Sequence, residues 1–326
     1  MESIGLQLPE TTALQPDTPP RFAILVREWK QLPSNYQIQH GQAESNSPAL
    51  PERELLLKSI RYRKKVLSII KHARAGHTGG SLSCVDILNV LYNSVMRVSP
   101  DNFNDPDRDR YIQSKGHSVE ALYVVLADKG FISEADLETL CKYRSSLIGH
   151  PTRKVKGIEQ NTGALGHGLP FGVGVSLAGK LDGRGYRVYV LLGDGELAEG
   201  SNWEASLMAA RYRLDNLVVL VDRNRLQITS STENVSGLEP LADKLKAFGY
   251  SLREADGNNP AGLGDVLRQA PFEPGKPSLI IAHTVKGRGV SFMENAVEWH
   301  HRVPNDEEFA RAMEELNAAE AKLSGN

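Results

Sequence analysis

The chain reads Leu191-Leu192-Gly193-Asp194-Gly195-Glu196 where a β-branched apolar run that begins at Tyr186 comes to its end. A second apolar run, 217–221, ends in Val221-Asp222-Arg223-Asn224, and Asn224 follows Asp194 by thirty residues. Such runs are typical of buried strands in a parallel sheet. Ligands of open α/β sheets bind just beyond the carboxyl ends of the strands. We therefore expect Asp194 and Asn224 to lie together at one edge of a parallel sheet.

An aspartate, an asparagine and a free backbone carbonyl, here that of Leu226, form a set of hard oxygen ligands at this edge. The set suits a Mg²⁺ ion that also holds phosphate oxygens. Gly193 and Gly195 let the backbone turn sharply beside the ligand, and the helix that follows would present free N–H groups to an anion. Gly-Asp-Gly alone is a common turn, but its pairing with Asn224 predicts a metal–diphosphate site.

Histidines stand in five loops, four of them rich in glycine: His77, His117, His150, His167 and the pair His300-His301. A single histidine beside glycine is usually a surface or packed residue. Several such loops at predicted helix starts and strand ends are harder to explain in that way. Imidazoles titrate near neutrality and donate hydrogen bonds to phosphate. They suit a site that binds diphosphate and moves protons on a hydroxylated substrate.

The regular pattern of the chain predicts one large α/β domain of parallel strands with helices on both faces. Residues 1–50 are rich in Pro, Gln, Ser and Thr, and read as an extension or arm. Strands are expected at 111–113, 186–192, 217–222 and 278–283. Helices are expected from residue 52 to the glycines around His77, after a cap at Ser83, and at 118–129, 201–213, 239–248, 260–269 and 306–322.

Composition excludes several classes of protein. The net charge of −2 and the pI near 6.5 give no reason to expect nucleic acid as a partner. Only two cysteines occur, which favours a reduced protein without disulfides. No apolar stretch approaches the roughly 20 residues that cross a bilayer, and Met1-Glu2-Ser3 lacks the basic start of a secretory signal. We expect a cytoplasmic protein.

Taken together, the motifs resemble the thiamine diphosphate-binding half of a transketolase. The order and spacing of Gly193-Asp194-Gly195 and Asn224 match the family, as do Ser114-Lys115-Gly116-His117, Gly149-His150-Pro151 and Gly163-Ala164-Leu165-Gly166. Thr284-Val285-Lys286-Gly287-Arg288-Gly289, followed by Trp299-His300, also matches. The resemblance covers roughly residues 52–305. It implies a cofactor domain over 51–305 and a terminal helix over 306–326.

The resemblance implies a role for each matching position. Mg²⁺, with Ca²⁺ or Mn²⁺ as substitutes, would be held by Asp194, Asn224 and the carbonyl of Leu226. Thiamine diphosphate would be lined by His117, Gly163, Ala164, Leu165, Gly195, Asn224, Lys286 and His300. The sugar would be bound by His77 and His150, with His77 and His300 as candidates for proton transfer. A contact between subunits would involve Glu199 and Glu204.

Some positions depart from the family. His167 stands where glutamine is usual, and His301 stands where glycine follows the Trp-His pair. Both leave cofactor binding intact and bear on sugar specificity. The chain also ends soon after the cofactor domain, whereas a full transketolase is about twice as long. The resemblance therefore implies the N-terminal subunit of a split transketolase, inactive without a separate C-terminal, pyrimidine-binding subunit in an α2β2 assembly acting on sugar phosphates.

Three alternatives remain at the level of sequence. The α subunit of a 2-oxo acid dehydrogenase carries a similar domain, but lacks the paired Ser-Lys-Gly-His and Trp-His signatures. Deoxyxylulose phosphate synthase is a longer single chain. A non-catalytic paralogue could serve as a partner-binding scaffold, although the intact Asp194, Asn224, His77, His117 and His300 argue against this. The identity of the sugar stays open.

Overall fold

The computed structural model describes residues 50–325, and a five-stranded parallel sheet lies at its centre. The strands are β1 (Arg110–Gln113), β2 (Val188–Gly193), β3 (Leu217–Arg223), β6 (Ser251–Asp256) and β7 (Ser278–His283). Their order across the sheet is β1-β2-β3-β7-β6, and every neighbouring pair is parallel. A separate two-stranded antiparallel hairpin consists of β4 (Leu226–Gln227) and β5 (Ser230–Ser231). The predicted α/β fold class is confirmed.

Alternating side chains of the central strands bury two separate cores, one on each face of the sheet. Tyr189 and Leu191 point into the first core, whereas Val188, Val190 and Leu192 point into the second. The first face is covered by α1 (Glu52–Ala73), α2 (Thr78–Val90, continued by a π turn to Val95), α3 (Val119–Asp128), the short α4 (Glu134–Leu137), α9 (Pro260–Arg268) and α10 (Asp306–Ser324). The second face is covered by α5 (Gly168–Leu181), α6 (Gly200–Arg211) and α8 (Leu241–Ala247); the short α7 (Thr232–Val235) follows the hairpin. Both faces are shielded, which is why the inner strands read as continuous apolar runs.

The predicted strands and helices are observed close to their expected bounds, but the predicted cap at Ser83 is wrong, and β6, α5 and the short elements α4, α7, β4 and β5 were not expected. Helix α2 begins at Thr78, so Ser83 is not its cap; the buried Ser83 hydroxyl instead donates to Asp222 Oδ2 at 2.6 Å. Strand β6 was not expected from the sequence. It is the outermost strand of the sheet and is largely exposed, so it has no apolar run that would have predicted it. Helix α5 was not expected either, since it contains four glycines, which are poor helix formers.

The structure describes the C-terminal helix of the chain but not most of the predicted N-terminal extension. The predicted extension over residues 1–50 falls, except for Leu50, outside the described residues, and the domain boundaries stay predictions. The C-terminal helix α10 begins at a capping box formed by Asn305 and Glu308. It packs along α1, where Arg61 Nε donates to Glu320 Oε1 at 2.7 Å. Within residues 50–325, no helix has the length and apolar character needed to span a membrane.

The sheet brings the predicted motifs to one edge, namely the end of the sheet at which the carboxyl ends of the parallel strands lie. The loop 114–117 follows β1, Asp194 follows β2, Asn224 follows β3, and the loop 284–289 follows β7. Because all four strands are parallel, these loops emerge on the same side of the sheet. Histidine-bearing loops from outside the sheet reach the same edge. This edge is where the topology places a ligand site.

Candidate cofactor and active site

A buried ion pair ties three of the strand-end loops together. Lys115 Nζ contacts Asp222 Oδ2, and both side chains are almost fully buried. Asp222 also accepts the hydroxyls of Ser83 and Thr284. Burial by itself would raise the pKa of Asp222, but the contact with Lys115 outweighs burial and lowers this pKa. The pair is therefore charged, and it fixes the loops after β1, β3 and β7 relative to one another.

Glu196 connects three further backbone segments of the same edge. Its Oε1 accepts the N–H of Gly166 at 2.9 Å, and its Oε2 accepts the N–H of Gly193 at 3.0 Å. The Ser114 hydroxyl donates to the same carboxyl group. Burial raises the pKa of Glu196, and these hydrogen bonds counteract that rise. The buried carboxyl group thus joins the Gly-Asp-Gly turn to the loops 163–168 and 114–117.

The three predicted metal ligands come from two neighbouring strand ends, Asp194 after β2 and Asn224 and Leu226 after β3. Asp194 is buried, its Oδ1 accepts the N–H of Gly195 at 2.8 Å, and its Oδ2 accepts the N–H of Arg225 at 2.6 Å. Asn224 Oδ1 accepts the N–H of Leu226 at 3.1 Å. Carboxylate, amide and carbonyl oxygens of this kind fit a hard cation such as Mg²⁺. Arg223 Nη1 also reaches Asp194 Oδ2 at 3.1 Å, so a cation here would share Asp194 with a guanidinium group.

Glycines allow the loops at this edge to pack closely against one another. A Cβ on Gly116 would lie 2.7 Å from the nitrogen of Gly163, and one on Gly163, whose φ is +134°, would lie 2.5 Å from the His150 ring. A Cβ on Gly195 would lie 2.8 Å from the side chain of Gln227, whose Oε1 is buried and has no hydrogen-bond partner within residues 50–325. The close approach of these backbones, which the missing side chains allow, fits the tight turns expected around a bound cofactor.

Five histidines form one cluster beside these turns. The His77 ring centroid lies 5.3 Å from His117, 6.0 Å from His150, 5.7 Å from His300 and 4.5 Å from His301. Lys286 Nζ lies 3.0 Å from His300 Nδ1. The nitrogen Nδ1 of His77 is buried and has no hydrogen-bond partner within the described residues. A polar ligand in this space would meet several imidazole nitrogens and an ammonium group.

His77 and His300 of this cluster are uncharged near neutral pH. Burial, reinforced by His301, His300, His150 and Lys286, lowers the pKa of His77 to about 3. Burial and the nearby Lys286 lower the pKa of His300 to about 4. Burial, with Lys115 in support, lowers the pKa of Lys286 to about 8. Neutral imidazoles both donate and accept hydrogen bonds, which suits the hydroxyls of a sugar.

The remaining predicted residues are mostly exposed at the surface. Ala164 is exposed, and the carbonyl oxygen of Leu165 lies 2.9 Å from His167 Nδ1. No ring contact in the described part of the chain joins His167 to the other histidines, so His167 lies apart from them. Glu199 and Glu204, at and just after the start of α6, are exposed. His301, although exposed, contributes its ring to the cluster.

Sequence reasoning missed four buried polar residues of this region: Lys115, Glu120, Glu196 and Asp222. Lys115, Glu196 and Asp222 stand inside the quoted motifs, and a charged residue at the end of an apolar strand could have drawn attention to Asp222. Glu120 carried no such signal, because a carboxylate in a helical pattern is ordinarily a surface residue.

Comparison with known proteins identifies the family to which the chain belongs. Residues 54–322 match the family described as the transketolase, thiamine diphosphate-binding domain. The chain is 48% identical over 269 residues to a subunit of the apulose-4-phosphate transketolase of Phocaeicola vulgatus, covering 82% of this chain and 96% of that protein. It is 40% identical to the 6-deoxy-6-sulfo-D-fructose transketolase subunit SqwG of a Clostridium species, covering 78% of this chain and 93% of that protein.

Longer transketolases match over part of their length. Human transketolase is 38% identical, with 77% of this chain and 40% of that protein covered. Among solved structures, the transketolase of Campylobacter jejuni superposes with a TM-score of 0.76 at 26% identity, over 83% of this chain and 45% of that one. The chain thus spans nearly the whole of the similar subunits and less than half of these longer transketolases.

Proposed function

Because this chain belongs to the transketolase family through its thiamine diphosphate-binding domain, we propose that it is the diphosphate-binding subunit of a two-component transketolase. The convergence of Asp194, Asn224, Lys286 and the histidine cluster on the carboxyl edge of the sheet carries this proposal. The similar proteins of matching length are named as transketolase subunits, which supports the two-component arrangement. Such an enzyme transfers a two-carbon ketol unit from a ketose to an aldose.

In this proposal, some residues at the edge bind the metal ion and others line the cofactor. Mg²⁺, or Ca²⁺ or Mn²⁺ in its place, would be held by Asp194, Asn224 and the Leu226 carbonyl. The cofactor would be lined by His117, Gly163, Ala164, Leu165, Gly195, Asn224, Lys286 and His300. When bound, thiamine diphosphate supplies the nucleophilic carbon for the chemistry. Lys286, whose ammonium group contacts the histidine cluster, would balance the charge of the diphosphate.

The histidines would act on the sugar. His77 and His150 would bind its first hydroxyls, because their neutral rings both donate and accept hydrogen bonds. His77 and His300 would hold and release protons at the reacting carbons, because each neutral imidazole has a nitrogen that can accept a hydrogen bond from a substrate hydroxyl. Their lowered pKa values make them weak bases in the free chain, and a bound anionic cofactor would raise those values. His301, whose ring lies against that of His77, would narrow the space for the sugar.

The proposed partner is a separate pyrimidine-binding subunit, in an α2β2 assembly located in the cytoplasm. The exposed Glu199 and Glu204 would lie at a contact between subunits. Two relatives, at 48% and 46% identity, are named for apulose 4-phosphate. We therefore propose a ketose phosphate of this kind as the donor and an aldose phosphate as the acceptor.

A reconstitution assay tests the proposal. The partner chain is first identified by co-purification, and ketol transfer from apulose 4-phosphate is then measured with thiamine diphosphate and Mg²⁺. We expect turnover from the mixture and none from either chain alone, because the cofactor's pyrimidine would be unanchored on this chain. Full turnover by this chain without a second one would contradict the two-component proposal. Turnover with another ketose phosphate only would contradict the proposed donor.

A further inference from the structure

Glu120 lies directly beneath the turn that carries His77. It stands in the first turn of α3 and is completely buried, with 0% of its surface exposed. Its Oε1 accepts the backbone N–H of His77 at 3.2 Å, and its Oε2 accepts the hydroxyl of Ser81 at 2.7 Å. Both donors belong to the beginning of α2, where His77 is the N-cap residue. The carboxyl group therefore spans the start of the helix that presents the His77 imidazole.

Glu120 provides a side-chain acceptor to the backbone of the turn at His77. The His77 side chain makes no capping hydrogen bond, and its Nδ1 has no partner within the described residues. Gly76, with φ at +150°, precedes it, and a Cβ there would lie 2.9 Å from Glu120 Oε1. Glycine thus permits the carboxyl group to reach the backbone of the turn. The ring contacts of His77 within residues 50–325 are with other histidine rings, whereas Glu120 contacts its backbone.

We propose that Glu120 is a positioning residue, whose buried carboxylate holds the turn at His77 and so sets where the His77 imidazole stands in the active site. The functional consequence rests on the role proposed above for His77. The hydrogen bond itself does not depend on that role, so the two can be tested separately.

The charge of Glu120 changes near physiological pH. Burial raises the pKa of Glu120 to about 7, although the hydrogen bonds from Ser81 and His77 act to lower it. The titratable groups that face it are His77 from α2, Tyr123 from its own helix and Cys141 from the loop beyond α4. No lysine or arginine of residues 50–325 forms an ion pair with it. Its charge is thus stabilised by hydrogen bonds and not by a counterion.

Protonation would weaken the hold on the turn. A hydrogen bond to an ionised acceptor is roughly twice as strong as one between neutral groups. A protonated Glu120 must also donate its hydrogen, which requires the Ser81 hydroxyl to reverse its role. The His77 N–H would keep only a neutral acceptor. The turn should therefore become more ordered as the pH rises through about 7.

The test follows the His77 amide by NMR in the full chain labelled with ¹⁵N-histidine. One of nine histidine amides has to be assigned, by its absence in His77→Asn. In the wild type we expect the His77 amide proton to move downfield as the pH rises, with a midpoint near pH 7. In Glu120→Gln, which has the same size and no charge, we expect this movement to be lost. Ser81→Ala is the matched control, because it removes the other donor to the same carboxyl group. There the movement should persist with a higher midpoint.

Thermal unfolding of the same proteins gives a second measurement. The pKa of Glu120 in the folded state is raised above the value of about 4.3 in an unfolded chain. Its charge therefore destabilises the fold increasingly as the pH rises from about 4.3 to about 7. Relative to the wild type, the Tm of Glu120→Gln should rise across this window and then level off.

The outcomes separate this proposal from the proposed function. A His77 amide movement that persists unchanged in Glu120→Gln would overturn the positioning role, because another group would then cause it. An unchanged midpoint in Ser81→Ala would also contradict it. Failure of the wild-type chain to bind thiamine diphosphate would count against the proposed function instead, and would leave the NMR result standing.

Discussion

At the scale of single residues, the site combines neutral imidazoles with buried charges of fixed sign. Lys115 and Asp222 neutralise each other, whereas Lys286 has no carboxylate partner among the described ion pairs. A buried ammonium group without a counterion loses hydration and gains little in return, which is why its pKa falls. Lys286 therefore gains most from an anion placed beside it. This asymmetry supports its proposed contact with the cofactor diphosphate.

The affinity for thiamine diphosphate should depend on pH through Lys286. Burial lowers the pKa of Lys286 to about 8, and a bound diphosphate would favour the charged form. Binding would then take up a proton above this pH. We expect the affinity, measured calorimetrically with Mg²⁺ present, to fall as the pH rises beyond about 8, by at most about tenfold per pH unit. Lys286→Met should bind more weakly at pH 7 and lose this dependence, and an unaltered slope in that variant would point to another group.

At the scale of elements, helix α5 shows how close packing overrides local propensity. Glycines weaken a helix, yet a Cβ on Gly172 would lie 2.5 Å from Val190 Cγ2 of strand β2. The absence of a side chain at this position brings the helix against the sheet. Its N-terminus is anchored to the site, because the Gly168 N–H donates to Ser114 Oγ at 3.1 Å. Helix packing and site geometry are therefore linked.

Two glycines of α5 provide a matched pair of substitutions. Gly172→Ala should destabilise the protein by about 1–3 kcal/mol, because the added methyl group has no room against the sheet. Gly174→Ala lies in the same helix, and its Cβ would meet nothing within 4 Å. That change should stabilise the protein by about 0.5–1 kcal/mol. Urea unfolding at equal pH measures both. Similar effects of the two substitutions would contradict this account of the packing.

At the scale of the whole molecule, the two cores lie on opposite faces of the sheet, and the strand-end loops lie along one edge of it. Ligands at this edge would cross-link loops that follow β1, β2, β3 and β7. Binding to the folded state alone raises the free energy of unfolding by mass action. The whole domain, and not only the site, should therefore respond to the cofactor and its metal.

Cofactor and metal together should raise the Tm of the chain, and removal of the metal should reverse most of the rise. At a ligand concentration of about 100 times Kd, the free energy of unfolding increases by about 2.7 kcal/mol. We expect no rise in Asp194→Ala, since the carboxylate proposed to bind Mg²⁺ is lost, and little in the wild type with a chelator. His167→Gln, which changes an exposed side chain outside the cluster, serves as control and should behave like the wild type. A full rise in Asp194→Ala would show that the ligand assignment is wrong.

Much of the architecture followed from local pattern. The apolar runs predicted β2, β3 and β7, because buried parallel strands need apolar side chains on both faces. The same runs predicted that Asp194 and Asn224 would share an edge. The pattern failed for β6 and α5, where an exposed edge strand and a glycine-rich helix owe their form to neighbouring elements.

The sequence by itself determined the fold class and which loops carry the histidines, since both follow from local patterns along the chain, and it predicted Asp194, Asn224 and Leu226 as metal ligands. Only the tertiary structure decided which of those residues meet. It brought His301 into the cluster and left His167 outside. It also buried Glu120, Glu196 and Asp222, each of which accepts hydrogen bonds from other segments of the chain. Burial and charge pairing arise from contacts between segments far apart in sequence, for example Lys115 with Asp222, and these contacts exist only after the sheet has assembled.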